Sequence, residues 1–218
     1  MPEKKLKMMW YWLAVWCCRV FCSVFFSLRI YGRGNVPDEG AFVLISNHQS
    51  FLDPVFCGMH LKRHLYFLAR DSLFANRFFG RLLSSVNTIP VRRGKADLAA
   101  MRKVISKLKE GNGVCLFPEA TRSRDGKITA FKPGFGFLCR RGNATVVPVV
   151  IEGAFECWPR HQKIFMPGSR IVIRYGKVIA AEDVKNMSDR ELAEKLTDKL
   201  REMQNDCRVQ QGKEPYCY

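Results

Sequence analysis

A histidine followed five residues later by an aspartate, His48 and Asp53, is the pair in this chain best suited to proton chemistry. Imidazole titrates closest to neutrality, and a carboxylate on one ring nitrogen leaves the other free to act as a base. The two cannot meet along an unbroken α-helix, because at about 100° per residue positions five apart point roughly 140° from each other. They can meet across a turn. The apolar run Ala41-Phe42-Val43-Leu44-Ile45 reads as a buried strand, and Pro54 suits the first turn of a helix. Residues 47–53, Asn47-His48-Gln49-Ser50-Phe51-Leu52-Asp53, are therefore expected to form a strand-to-helix turn with Asp53 as N-cap. Taken alone, the pair also fits a plainer account, a capping aspartate beside a surface histidine.

The elements that must position this turn follow from hydrophobic period and turn chemistry. After a short helix from Pro54 to about Leu61, Leu65 to Ala69 reads as a second strand. Residues 71–83, with Phe74, Phe78, Phe79 and Leu82, read as an amphipathic helix. Thr88 to Val91 is a short edge-like strand running into Arg92-Arg93-Gly94-Lys95. Leu98, Met101, Ile105 and Leu108 keep helical spacing up to the stop at Gly111-Asn112-Gly113. A strand over 113–117 leads into Pro118-Glu119-Ala120-Thr121-Arg122-Ser123, a helix ends near Arg141, and strands follow at 145–151 and 171–179. The last helix opens on a Ser188/Glu191 capping box and buries Leu192, Leu196, Leu200 and Met203. Residues 210–218 read as a flexible tail. Alternating strands and helices call for an α/β fold, a mostly parallel or mixed central sheet flanked by helices. Sites in such sheets collect beyond the carboxyl ends of strands, and His48 and Glu119 each follow a strand directly.

Residues 1–35 differ in kind from the domain expected over 36–209. Lys4, Lys5 and Lys7 precede an apolar, aromatic run, and Met8 to Leu28 would span about 30 Å as a helix, enough to cross a bilayer. Arg19 in its middle would cost about 3 kcal/mol at bilayer depth. Arg19, Ser23 and Ser27 make a narrow polar stripe, and basic residues flank both ends, so the charge rule sets no orientation. A membrane-anchoring helix lying in the interface or dipping into one leaflet fits this better than a clean span. A secretory signal is the competing reading, but no small-residue cleavage site follows the run. A buried core helix is a third, against which the aromatics Trp10, Tyr11, Trp12 and Trp16 at one end argue for headgroup level.

With 36 Lys+Arg against 20 Asp+Glu, the net charge of +16 implies an anionic partner: a membrane surface, nucleic acid or phosphorylated small molecules. RNP-like, KH and zinc-finger patterns are missing, and the aromatics sit at core periodicity or in the N-terminal run, so nucleic acid is not expected. Nine cysteines at irregular spacing read as buried free thiols in a reducing compartment, with no metal site expected. No feature of the sequence fixes an oligomeric state.

Four stretches together resemble the glycerolipid acyltransferases, the 1-acylglycerol-3-phosphate acyltransferase family. Asn47 to Asp53 resembles its His-(four residues)-Asp motif, and Ile89-Pro90-Val91-Arg92-Arg93-Gly94 its second block, with Arg93 the better match to the block's arginine. Phe117-Pro118-Glu119-Ala120-Thr121-Arg122-Ser123 resembles the third block, and Val147-Pro148-Val149 the fourth. Two departures stand out. Ala120 replaces a usual glycine, which is awkward if that backbone needs a positive φ. Arg70 stands near a position where relatives often carry lysine.

The resemblance implies acyl transfer to a hydroxyl, with acyl-CoA or acyl carrier protein as co-substrate, no resident cofactor, and a lysophospholipid acceptor, most simply 1-acylglycerol-3-phosphate giving phosphatidate. His48 would take the hydroxyl proton while Asp53 fixes the ring, with no acyl-enzyme, so neither Ser50 nor any cysteine is a proposed nucleophile. Arg93 and Arg122 suit the acceptor phosphate, with Glu119 and Lys132 grouped beside them and Asn47, Arg70 and Thr121 in support. A carboxylate repels phosphate, so Glu119 is expected to position Arg122 or to accept from an acceptor hydroxyl. The resemblance also implies association with a lipid bilayer and a cytoplasmic catalytic domain, at the inner membrane in a bacterium. The alternatives are another lysolipid or glycerol 3-phosphate as acceptor, or a non-catalytic lipid-binding relative, against which the intact His48 and Asp53 count.

Overall fold

A computed structural model of the chain describes residues 2–92 and 97–218. Its strands are β1 (Ser27–Tyr31), β2 (Phe42–Ser46), β3 (Leu65–Arg70), β4 (Thr88–Val91), β5 (Gly113–Leu116), β6 (Thr145–Glu152) and β7 (Arg170–Tyr175). They form one sheet in the order β1-β7-β6-β2-β5-β3-β4. The strands β2 to β6 run parallel, whereas β7 is antiparallel to β6 and β1 is parallel to β7. The sheet is thus mixed, within the α/β architecture expected from the sequence. Every residue of β2 is buried, because helices cover both faces of the strand, and this is why it reads as an unbroken apolar run.

The helices are α1 (Pro2–Phe25), α2 (Asp53–Gly58), α3 (Arg77–Ser85), α4 (Leu98–Lys109), α5 (Phe135–Arg141), α6 (Ala154–Cys157), α7 (Ala181–Lys185) and α8 (Asp189–Gln210). One face of the sheet packs against α4, α5, α7 and α8 through Val104, Leu108, Leu138, Val184, Leu192, Leu196 and Leu200. The other packs against α1, α2 and α6 through Cys22, Phe26, Phe56, Cys57, Ala154 and Cys157. The capping box forms as expected: the Ser188 N–H donates to Glu191 Oε2 (2.7 Å) and the Glu191 N–H to Ser188 Oγ (3.2 Å).

Several expectations change. The helix expected over 71–83 is divided into a 3-10 turn, Asp71–Phe74, and α3, because Asn76 Oδ1 accepts from the Phe78 and Phe79 N–H groups and starts a new helix there. The strand expected to run to Ile179 ends at Tyr175, and Ile179 makes an isolated bridge to Val146. Residues 27–31 leave the N-terminal helix and become the edge strand β1.

The N-terminal helix lies along the sheet. Its inner side is tied to the domain at several points: the Leu65 N–H donates to Tyr11 Oη (3.1 Å), Arg19 donates to the Met59 carbonyl, and Cys22 and Phe26 are buried. Arg19, expected to be an obstacle at bilayer depth, is satisfied by protein instead. The last residues also differ from the loose tail expected. Arg208 stacks on Tyr216, Lys213 pairs with Glu156 (2.7 Å), the Tyr216 N–H donates to Asn205 Oδ1 (2.7 Å), and the Tyr218 hydroxyl meets Gln204. Aromatic and charged partners on α8 and α6 hold a segment that apolar periodicity alone cannot place.

Candidate active site

Because β2, β3, β4, β5 and β6 run the same way, the loops that follow them share one edge of the sheet, and the first and third sequence blocks meet there. Chain direction turns sharply after Ser46. Asn47 anchors the turn: its side-chain amide donates to the Ile151 carbonyl (2.9 Å) and its Oδ1 accepts the Ile151 N–H (2.9 Å), closing a two-way bridge to β6.

His48 Nδ1 and Asp53 Oδ2 are 2.8 Å apart. The same oxygen accepts the N–H groups of Gln49 (2.6 Å) and Ser50 (2.7 Å). Asp53 is thus the first residue of α2 and not its cap, and it faces back into the turn. Three donors on one fully buried carboxylate oxygen fix both the loop and the imidazole, and such charge-assisted bonds contribute about 1.5–3 kcal/mol each. The other oxygen, Oδ1, is buried with no hydrogen-bond partner among the described residues. Among the described residues, His48 is the ion-pair partner of this acid, so positive charge arising on the ring meets a desolvated anion. The ring stacks on Phe117 at 4.4 Å, and its side chain keeps 19% exposure. With Nδ1 committed to Asp53, Nε2 is the nitrogen left to take a proton.

The third block holds this turn from below. The His48 N–H donates to Glu119 Oε1 (2.7 Å), and the His48 carbonyl accepts the Ser123 N–H (2.7 Å). Glu119 Oε2 accepts from the Thr129 N–H (3.0 Å) and hydroxyl (2.9 Å). Both carboxylate oxygens thus brace the turn, a bonding role for Glu119 that the sequence did not suggest. A buried carboxylate is stable where N–H groups converge on it, and a phosphate beside it would repel it. Burial raises its pKa above the ordinary 4.5, with the Thr129 and His48 N–H groups opposing that shift.

Arg122 lies with its guanidinium 3.3 Å above the Phe51 ring, and Phe51 in turn meets Trp158 at 5.0 Å. Arg70 ends β3 on the same edge, and Arg70, Thr121 and Lys132 are exposed, with no hydrogen bond to His48 or Asp53 among the described residues. Arg93 lies outside the described residues. The Lys132 N–H donates to the Pro118 carbonyl (3.2 Å), tying its segment to the third block.

Sequence reasoning missed Phe117, Gln49, Gly126 and Thr129 as site residues. Phe117 opens the third block and could have been suspected from its place there. The other three gave no periodic signal. Gly126, with φ +86°, offers its carbonyl to Gln49 Nε2 (2.6 Å) and Gln204 Nε2 (2.9 Å), joining the turn to α8. Cys157, packed under the turn, has its thiol pushed up to about 12 by burial, which keeps it protonated and unreactive.

The departure at Ala120 carries a measurable cost. Its φ is +59°, in the left-handed region that costs a residue with a Cβ about 1–2 kcal/mol. Ala120→Gly relieves this while adding some unfolded-state entropy. The expected net gain is up to about 1 kcal/mol, read as a rise of roughly 2–4 °C in Tm by calorimetry. An unchanged or lower Tm would mean that the loop has no strain to relieve.

A family model described as Acyltransferase matches residues 27–152. The chloroplastic 1-acyl-sn-glycerol-3-phosphate acyltransferase LPAT1 of Arabidopsis thaliana is 29% identical over 157 residues, covering 71% of this chain and 42% of that protein. The chain thus spans under half the length of this plant relative. The 1-acyl-sn-glycerol-3-phosphate acyltransferase of Bacillus subtilis is 24% identical over 192 residues, covering 86% of this chain and 93% of that one. The crystal structure of the 1-acyl-sn-glycerophosphate acyltransferase PlsC from Thermotoga maritima superposes with a TM-score of 0.73 at 25% identity, covering 86% of this chain and 75% of that one. The family match takes in more than half of the chain, including the turn that holds His48 and the loop that braces it, and on that ground the chain belongs to the acyltransferase family.

Proposed function

We propose that this protein transfers an acyl group from a thioester donor, acyl-CoA or acyl carrier protein, to the free hydroxyl of a lysophosphatidate, giving phosphatidate. The observation that carries the proposal is His48, held through Nδ1 by a buried aspartate, with Nε2 available at the carboxyl edge of the sheet. In this mechanism Nε2 removes the hydroxyl proton as the oxygen attacks the thioester carbonyl, and Asp53 stabilises the imidazolium. The tetrahedral species collapses, and the thiolate leaves with the proton that His48 returns. Arg122, with Arg70 at the end of β3 and the exposed Lys132, supplies cationic character for the acceptor phosphate, and the second sequence block adds Arg93 to that set. The names of the relatives, 1-acyl-sn-glycerol-3-phosphate acyltransferases, support lysophosphatidate as the acceptor.

In the same proposal α1 lies in the membrane interface. Its inner side is tied to the sheet, and crossing the bilayer would require those contacts to break, whereas Leu6, Met9, Leu13, Trp16 and Val24 face outward. Purified protein should release thiol from acyl-CoA or acyl carrier protein when given lysophosphatidate, and far less with lysophosphatidylcholine, whose phosphate is capped by choline. Equal rates with both acceptors would remove the phosphate from the account, and thiol release with neither would remove the activity.

A further inference from the structure

We infer that α3 is a second lipid-contacting element, and that with the outer face of α1 it forms one surface docking on an anionic bilayer. This rests on the interfacial reading of α1 proposed above. The helix is turned the wrong way for a water-facing position. Phe78, Leu82 and Ser85 fall at i, i+4 and i+7 with Phe79 alongside, and Phe78 is 83% exposed, Phe79 45% and Leu82 45%. On the opposite side Gly80 is buried, and a Cβ there would stand 2.7 Å from the Phe74 carbonyl oxygen. The glycine faces the fold and the phenylalanines face out, the reverse of an ordinary surface helix. The Asn76 side chain caps the helix start, accepting the N–H groups of Phe78 and Phe79.

The stripe does not stop at the end of α3. Ser85 Oγ accepts from Trp10 Nε1 at 2.8 Å, so it runs on into the exposed apolar face of α1. Arg77 and Arg81 are exposed beside the α3 stripe, and Lys5 and Lys7 are exposed at the start of α1. Apolar side chains flanked by cations match the acyl boundary and phosphate layer of an anionic leaflet. A second copy of this chain would bring +16 against +16 and is disfavoured by charge. The strand that feeds α3 ends at Arg70 on the site edge, so docking would bring that edge to the membrane, where a lipid acceptor resides.

The test compares the parent, Phe78→Ser, the double variant Phe78→Ser/Phe79→Ser, and Arg77→Gln/Arg81→Gln. Co-sedimentation is measured with phosphatidylcholine vesicles with and without phosphatidylglycerol. The double serine variant should bind mixed vesicles about tenfold more weakly than the parent, and Phe78→Ser should fall between them with an unchanged Tm. The arginine variant should lose affinity for the mixed vesicles while matching the parent on phosphatidylcholine alone. Parent-like vesicle binding by both serine variants overturns the inference, as does a loss of self-association in sedimentation with vesicle binding intact, which would assign the face to a second copy. Acyl transfer to a dispersed short-chain lysophosphatidate is measured alongside. Its absence in the parent would count against the proposed reaction, while the vesicle data still decide the role of α3.

Discussion

Asp53→Asn is expected to lower kcat/KM by about 10³-fold or more, and His48→Ala by at least as much, without loss of the fold. The reasoning starts from the oxygen that His48 Nδ1 faces. Asp53 Oδ2 also accepts the Gln49 and Ser50 N–H groups, so an amide there must point its oxygen at those donors to keep the turn. The loop then survives, but the amide carries no negative charge, and the imidazolium formed during attack loses its counter-ion in a buried site. With the opposite amide orientation, an NH2 group would face three donors and the turn itself would open. A variant with the parent's Tm and a reduced rate identifies the first outcome. A parent-like rate would show that the carboxylate is only a loop fastener.

Glu119→Gln should lower kcat/KM by about 10–100-fold, because it leaves one of the brace's buried donors unmatched at about 1–3 kcal/mol. The amide can place its oxygen toward the His48 N–H or toward the Thr129 N–H, but its nitrogen then meets the other donor. Thr129→Ser, which keeps the hydroxyl bond, should stay close to the parent. Because Glu119 acts through the main chain of His48, the loss should appear in kcat more than in KM. The same residue makes stability depend on pH. Its carboxyl is raised above 4.5 by burial, so the folded protein holds that proton more tightly than the unfolded chain. That contribution is full below pH 4.5 and is lost as pH rises through the raised folded value. Denaturant titrations across this window should show a slope in the parent that the amide variant lacks, and an identical slope in both would assign the pH dependence to other groups.

How far the sequence could be read follows from which forces leave a periodic mark. The strand before His48, the capping box at Ser188 and the buried stripe of α8 were legible because burial and capping act over fixed short spacings. The meeting of His48 with Asp53 was legible once the strand and Pro54 demanded a turn between them. The strain at Ala120 was legible as a residue-type mismatch, and the positive φ there bears it out. The bracing role of Glu119 was not: its partners are main-chain groups 71 residues upstream and in an irregular loop 10 residues downstream, and neither distance recurs. The edge strand β1 was hidden for another reason. Its alternation, with Leu28 and Ile30 inward and Ser27, Arg29 and Tyr31 outward, directly follows a long apolar run and merges with it. The docking of α1 on the sheet was hidden because aromatic side chains suit both a core and a bilayer.

The most direct test of the central claim is a double-mutant cycle on thioester consumption, with His48→Ala, Asp53→Asn and the combined variant assayed on lysophosphatidate at matched Tm. If the aspartate acts only through the imidazole, removing it from a protein that already lacks the histidine should cost nothing further, and the combined variant should match His48→Ala. Losses that multiply, or a His48→Ala variant that turns over within tenfold of the parent, would contradict the account.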